Sequence, residues 1–158
     1  MRKTKLPLIW FSCLSILVTL FSLSAQSAQA LSNRTADSII ELGSKYMGTP
    51  YDYGAPTGST RAFDCSSFTQ YIFGRNGIRL PRTSSSQAKV GRYISSKQLQ
   101  KGDLLFFSTS YSKGKIAHVG VYAGHGYVLH TYGKPGVTIT NLKTNAWWRN
   151  HYITARRL

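Results

Sequence analysis

An α+β domain is predicted, with helices leading and an antiparallel sheet of about five strands following. Two observations carry this. Residues 35–47 and 65–74 repeat apolar side chains at helical spacing. Beyond residue 103 the period changes to short β-branched or aromatic runs, Leu104–Ser108, His118–Ala123, Tyr127–Thr131, Val137–Asn141 and Tyr152–Ala155. Glycine and proline separate these runs, which is the pattern of consecutive antiparallel strands.

The chain begins with Arg2, Lys3 and Lys5, then runs apolar from Leu6 to about Leu23. Small and polar residues follow, and Ala28-Gln29-Ala30 matches a small-x-small cleavage pattern. Residues 1–30 are read as a secretory signal peptide and residues 31–158 as one mature domain with one core. No stable membrane insertion is expected after cleavage. Processing also removes Cys13 and leaves Cys65 as the sole cysteine. An unpaired thiol in an exported chain is an oxidation liability unless it does chemistry.

Twenty Lys and Arg against five acids give a net charge of +15, of which +12 stays with the mature chain. Such a field attracts polyanions. The basic residues are spread along the chain and form no nucleic-acid motif, so anionic cell-wall polymers are the expected partner and nucleic acid is not. A solubilising surface with no partner is the plainer account of the same charge.

Along the mature chain, Ala36, Ile39, Ile40 and Met47 predict a helix over 35–47 that Gly48 ends. Gly54, Pro56 and Gly58 mark an irregular stretch to residue 62. The Cys65 helix follows, with Phe68 and Ile72 on the face of Cys65, Asp64 as N-cap and Gly74 as stop. Cys65 in the first turn meets the positive end of the peptide dipoles, which predicts a lowered thiol pKa. A short helix is expected near residues 84–90.

His118 opens one strand and His130 lies near the end of the next. A three-residue loop, Gly124-His125-Gly126, pairs Ala123 with Tyr127, sets His130 opposite Gly120 and puts both histidines on one face; a two-residue loop separates them. A helix packed on that face would bring Cys65 to the pair. Thiol catalysis needs such a set: a nucleophile, an imidazole that shuttles its proton, and a third polar group that fixes the tautomer. Zinc is the competing use of these three residues. Neither Cys-x-x-Cys nor a histidine pair on one helix is present, so no metal and no cofactor is expected. His125 and His151 read as solvated.

These residues also carry a resemblance. Gly48-Thr49-Pro50-Tyr51, Gly54 and Phe63-Asp64-Cys65-Ser66 resemble a G-x-P-Y, glycine-loop and D-C-S-G pattern. Leu80-Pro81-Arg82-Thr83-Ser84 with Gln87, Lys101-Gly102-Asp103-Leu104 and His118-Val119-Gly120-Val121-Tyr122 are similar to three further motifs in the same order. The chain resembles the NlpC-type cell-wall endopeptidases, papain-like cysteine peptidases of bacteria. With the signal peptide the protein is expected to be secreted, and a monomer is expected. The resemblance implies an enzyme that cleaves peptidoglycan stem peptides between D-γ-glutamate and the diamino acid. It makes Cys65 the nucleophile, His118 the base and His130 the orienting residue. It makes Tyr51 an aid to the oxyanion, with Asp64 and Ser66 at the substrate. Amidase or acyltransferase chemistry on the same scaffold, or wall binding without catalysis, are the other functions it leaves open. Ser67 stands where the family has glycine, and Gly54-Ala55 where it has Gly-Gly.

Overall fold

The computed structural model describes residues 33–158, so the expected signal peptide lies outside the described residues. The compact unit spans Thr35–Leu158. Helix α1 covers residues 33–44 and continues as turns to 48, shorter than the 35–47 helix expected at its far end. Its Ile39 and Gly43 face inward. A Cβ on Gly43 would come within 2.5 Å of Leu129, so glycine sets the depth to which α1 settles on the sheet. Helix α2 is Cys65–Gly74 and α3 the four-residue Ser84–Gln87, shorter than the expected 84–90.

Six strands follow: β1 Arg92–Ile94, β2 Leu104–Phe107, β3 His118–Gly124, β4 Tyr127–Tyr132, β5 Gly136–Asn141 and β6 Tyr152–Arg157. Their spatial order is β1-β6-β2-β3-β4-β5, antiparallel at every pairing. The α+β expectation holds. The added strand, β1, escapes the sequence pattern because it has three residues and only Ile94 is buried.

The four residues of β2 are all buried because both sheet faces are covered. Leu104 and Phe106 join Phe63, Phe68, Ile72, Val119, Val121 and Leu129 under α1 and α2. Leu105 and Phe107 point the other way, into a second cluster with Val128, Trp148 and Ala155. Trp148 comes from helix α4, Ala146–His151, whose N-cap Asn145 accepts from the Trp148 amide at 3.2 Å. Strand β6 is clamped by Asp103, which is fully buried and accepts from Arg157 Nε at 2.7 Å and Nη2 at 2.8 Å. The Gln100 amide holds the same carboxylate at 2.8 Å.

The β3–β4 hairpin corrects the loop while preserving its consequence. The turn is the two residues His125-Gly126, both at positive φ (54° and 89°), closed by the pair Gly124–Tyr127. A register shift between Tyr122 and Gly124 then absorbs Ala123, and Tyr122 pairs with Val128. Extended down the strands, that register sets Gly120 opposite His130, the pairing the three-residue loop was expected to give. A bulge does the work of the third loop residue.

Candidate active site

Alternation along β3 and β4 puts His118 and His130 on one face, and the rings meet: His118 Nε2 lies 3.0 Å from His130 Nδ1. Gly120 gives this contact room, since a Cβ there would sit 3.0 Å from that of His130. His130 Nε2 in turn lies 2.8 Å from Thr140 Oγ1 on β5. Thr138 is directly opposite His130, so Thr140 is its diagonal neighbour on the same face. His118 Nδ1 is buried and has no hydrogen-bond partner among the described residues. It is the position left for an incoming proton.

The helix on the histidine face is α4, where α2 had been expected. The Trp148 ring lies 4.6 Å from that of His118 and 4.7 Å from that of His130. Helix α2 packs on the opposite face, through Phe68 and Ile72 against Val119 and Leu129. Cys65 nevertheless comes to the start of β3, where His118 stands. Its Sγ is 4.0 Å from the Ala117 carbonyl, and the Val119 amide donates to it, so the sulfur contacts the backbone on both sides of His118. A helix N-terminus meeting a strand end replaces the face-to-face packing first expected.

Burial decides the resting ionisation. Desolvation pushes the Cys65 thiol up to about 11, with the Asp64 carboxylate adding to it, against donation from the Val119, Ser66 and Cys65 amides. The expected lowering by the helix terminus is present in the Ser66 and Cys65 amides, the Val119 amide of β3 adds more, and the sum loses to desolvation. Burial holds His118 well below its ordinary value of 6.5, with His130 adding to it, and lowers His130 to about 4. The resting pair is therefore a neutral thiol and a neutral imidazole.

Tyr51 is carried to the cleft by a parallel bridge to Phe63, in which the Phe63 amide donates to Pro50 O and the Asp52 amide to Phe63 O, each at 3.0 Å. Partial burial, with Cys65 and Asp64 nearby, raises its phenol to about 12, so it stays a donor.

Asp64 caps α2 by accepting from the Ser67 amide at 2.7 Å, and Ser67 Oγ accepts from the Asp64 amide at 3.0 Å. The hydroxyl of Ser67, where the family has glycine, thus completes a capping box. Asp64 also pairs with Arg82, whose Nη1 donates to Ser66 Oγ at 2.9 Å and whose Nη2 donates to Ala55 O at 2.8 Å. Although burial works against its charge, Arg82 and the Ser67 amide hold the Asp64 carboxyl below its usual range.

Arg82 was not among the expected site residues, though its Leu80-Pro81-Arg82-Thr83-Ser84 segment had been noticed. The missed signal was Gln87, fully buried, which donates to Ser66 O at 3.1 Å and to Pro81 O at 2.9 Å and ties that segment to α2. Asp64, Cys65, Ser66, Arg82, Ser84 and Tyr51 all line one cavity of about 530 Å³. His125 occupies the hairpin turn, away from this group. His151, read as solvated, is half-buried and stacks on Trp147 at 4.0 Å.

The NlpC/P60 family pattern matches residues 48–157. Gamma-DL-glutamyl hydrolase of Bacillus subtilis is 33% identical over 144 residues, covering 90% of this chain and 35% of that protein. Gamma-D-glutamyl-L-lysine dipeptidyl-peptidase of the same organism is 43% identical over 97 residues, 61% of this chain and 32% of that one. The chain thus spans about a third of these relatives' lengths. Among solved structures, an NlpC/P60 family protein from Bacillus cereus superposes with a TM-score of 0.69 at 39% identity, covering 77% of this chain and 39% of the other. With the matched segment holding the helix of Cys65 and both histidine strands, the chain belongs to the NlpC/P60 family and has its papain-like α+β fold.

Proposed function

We propose that the protein is a secreted cysteine peptidase that cleaves peptidoglycan stem peptides at the bond between D-γ-glutamate and the diamino acid. The observation that carries this is the sulfur of Cys65 held against the backbone on either side of His118, whose Nε2 is hydrogen-bonded to His130, at a cavity that also presents Arg82. The names of the relatives, a glutamyl hydrolase and a glutamyl-lysine dipeptidyl-peptidase, point to the same bond.

The geometry suits a general-base mechanism. His130 donates Nε2–H to Thr140 Oγ1 and accepts from His118 Nε2–H, which leaves the His118 Nδ1 lone pair for the thiol proton. Cys65 Sγ attacks the amide carbonyl carbon as that proton passes to Nδ1. The Cys65 amide and the Tyr51 phenol donate to the oxyanion. Collapse expels the amine, which takes the proton from Nδ1, and leaves a thioester. His118 then deprotonates water, which attacks the thioester, returns the thiol and releases the γ-glutamyl carboxylate. Asp64 and Ser66 fix Arg82, whose guanidinium faces the free carboxylate of the γ-linked glutamate.

The +12 charge of the mature chain holds it on anionic wall polymers outside the cell, and it acts as a monomer. The test is digestion of purified peptidoglycan with mass spectrometry of the fragments. New N-terminal diamino acids and dipeptides ending in γ-D-glutamate are expected; release of intact stem peptides, or of nothing, sinks the proposal.

A further inference from the structure

A basic groove lies at the end of the sheet away from the catalytic residues. Strand β2 gives the direction: Phe107 pairs with His118 and Tyr152, whereas Leu104 pairs with Val121 and Arg156, next to Arg157. Beside Arg157 is a cavity of about 440 Å³, lined by Arg92, Lys97 and Arg157 together with two glutamines and two aliphatic residues. Among the described residues, no acidic and no aromatic side chain lines it.

The fold brings these cations together against their repulsion. Arg92 and Arg157 are direct partners across β1 and β6, a placement in which like charges destabilise the pair. Gly91, at φ 73°, lets β1 approach so closely that a Cβ there would overlap the Arg157 carbonyl oxygen. Asp103 lies behind Arg157, fully buried and already engaged by its Nε and Nη2. A further bond from Nη2 to Gln98 O at 3.0 Å fixes that guanidinium in place. Arg92 and Lys97 are exposed, and neither side chain has an ion-pair or hydrogen-bond partner among the described residues. Three cations against one acid leave the groove positive.

Resting on the anionic-wall reading above, which it narrows from a whole-surface field to one site, we propose that this groove binds a polymer of phosphodiesters joined by short polyols. Two unpaired cations beside a fixed guanidinium suit successive phosphates, each gaining charge-assisted hydrogen bonds. The side-chain amides of Gln98 and Gln100 supply both donors and acceptors for polyol hydroxyls. Nucleic acid fits less well, because single strands are gripped by stacking on aromatic faces. The exposed Tyr93 alternates to the other sheet face, where the Arg156 guanidinium lies 6.0 Å from its ring centre. Held by this end, the protein keeps the Cys65 cleft open to peptide.

The experiment measures binding of poly(glycerol phosphate), and of single-stranded DNA with equal phosphate number, to the purified protein across a salt series. Arg92→Gln/Lys97→Gln is expected to lose about tenfold or more in affinity for the polyol phosphate, with a log–log salt slope flatter by roughly one to two. Arg75→Gln/Arg79→Gln removes the same charge from an exposed stretch after α2 and should stay within about twofold. Arg157 is left unchanged, because its loss would orphan the buried Asp103. Equal losses in the two double variants would mean a diffuse field and overturn the groove, leaving the wall partner and the peptidase reading intact. DNA bound more tightly than polyol phosphate, and released by the groove variant, overturns the polyol assignment in favour of nucleic acid. No binding by the unaltered protein overturns the groove and the anionic anchor together.

Discussion

The two faces of the sheet are built differently. One carries Phe63, Phe68, Ile72, Val119, Val121 and Leu129 under α1 and α2, and is apolar apart from small polar residues such as Thr69 and Thr131. The other buries His118 and His130 under Trp148, among Phe107, Val128 and Tyr132. The first face fixes where α2 lies and hence where Cys65 sits. The second holds two imidazoles neutral and leaves one buried nitrogen, His118 Nδ1, without a partner among the described residues. On the proposed mechanism, position and proton transfer are thus assigned to opposite sides of one sheet, and they come together only at the start of β3.

The largest expected effect separates chemistry from scaffold. Cys65→Ala and His118→Gln should each abolish peptide hydrolysis with the circular dichroism spectrum unchanged, while His130→Gln keeps a measurable fraction, because a side-chain amide can also accept from His118 Nε2–H. Equal loss in the two histidine variants would break the division of labour.

Burial on the helix face predicts the next effect. With its thiol raised from 9.0 to about 11, Cys65 should alkylate about a hundredfold more slowly at neutral pH than an unperturbed thiol, with the rate climbing as pH rises. A rate plateau extending down to acid pH would mean a resting thiolate–imidazolium pair.

Substitutions on the two faces should then diverge. Phe68→Ala should lose roughly 3–5 kcal/mol of stability in urea unfolding and leave the pH dependence of activity in place. Trp148→Ala uncovers the histidines, so the depressed His130 value should climb from about 4 towards 6.5 and the acid limb of activity should move up with it. Identical pH profiles in the two variants would erase the contrast.

Acid should act on the histidine face first. Both imidazoles protonate more readily unfolded, at about 6.5, than folded, so their neutral burial contributes stability fully above that pH. It is lost as pH falls: the His130 part is gone by about pH 4, and the His118 part continues lower. The Asp64 carboxyl, held below 3.8, adds a separate loss only beneath that value. Urea midpoints between pH 7 and 4 should decline, and His130→Gln should flatten the decline.

Thr140→Val should produce the smallest change, a few-fold drop in kcat, since it removes only the acceptor that settles the His130 tautomer; Thr140→Ser should restore it. Nitrogen chemical shifts of His130 read that tautomer directly, and an unmoved spectrum would mean that Thr140 takes no part.

The faces also differed in how far they could be anticipated. Helical spacing of Cys65, Phe68 and Ile72 and the alternation in β3 determine the apolar face, because both patterns answer to burial alone. His118 and His130 were assigned to one face from alternation together with a three-residue loop; the face was right, but a two-residue turn with a bulge produces it. The bulge at Ala123 was invisible, since it depends on a turn geometry that residue type leaves open. Helix α4 was missed because six residues carry too little period, although Asn145 before Ala146-Trp147-Trp148 is a capping signal. Arg82 escaped because its partner Asp64 already had a role as a cap. The cleft chemistry of such pairs depends on which cavity they border, which the chain order does not encode.

One further consequence follows from the strand order. Strand β6 lies between β1 and β2, joined to β2 through Arg157 and Asp103. During synthesis, residues 92–141 are made with one edge of β2 open and β1 unattached, and neither can be satisfied until residues 152–157 clear the ribosome. A nascent chain of this protein therefore keeps both edges open until β6 has been made, and until then it is exposed to pairing with its neighbours.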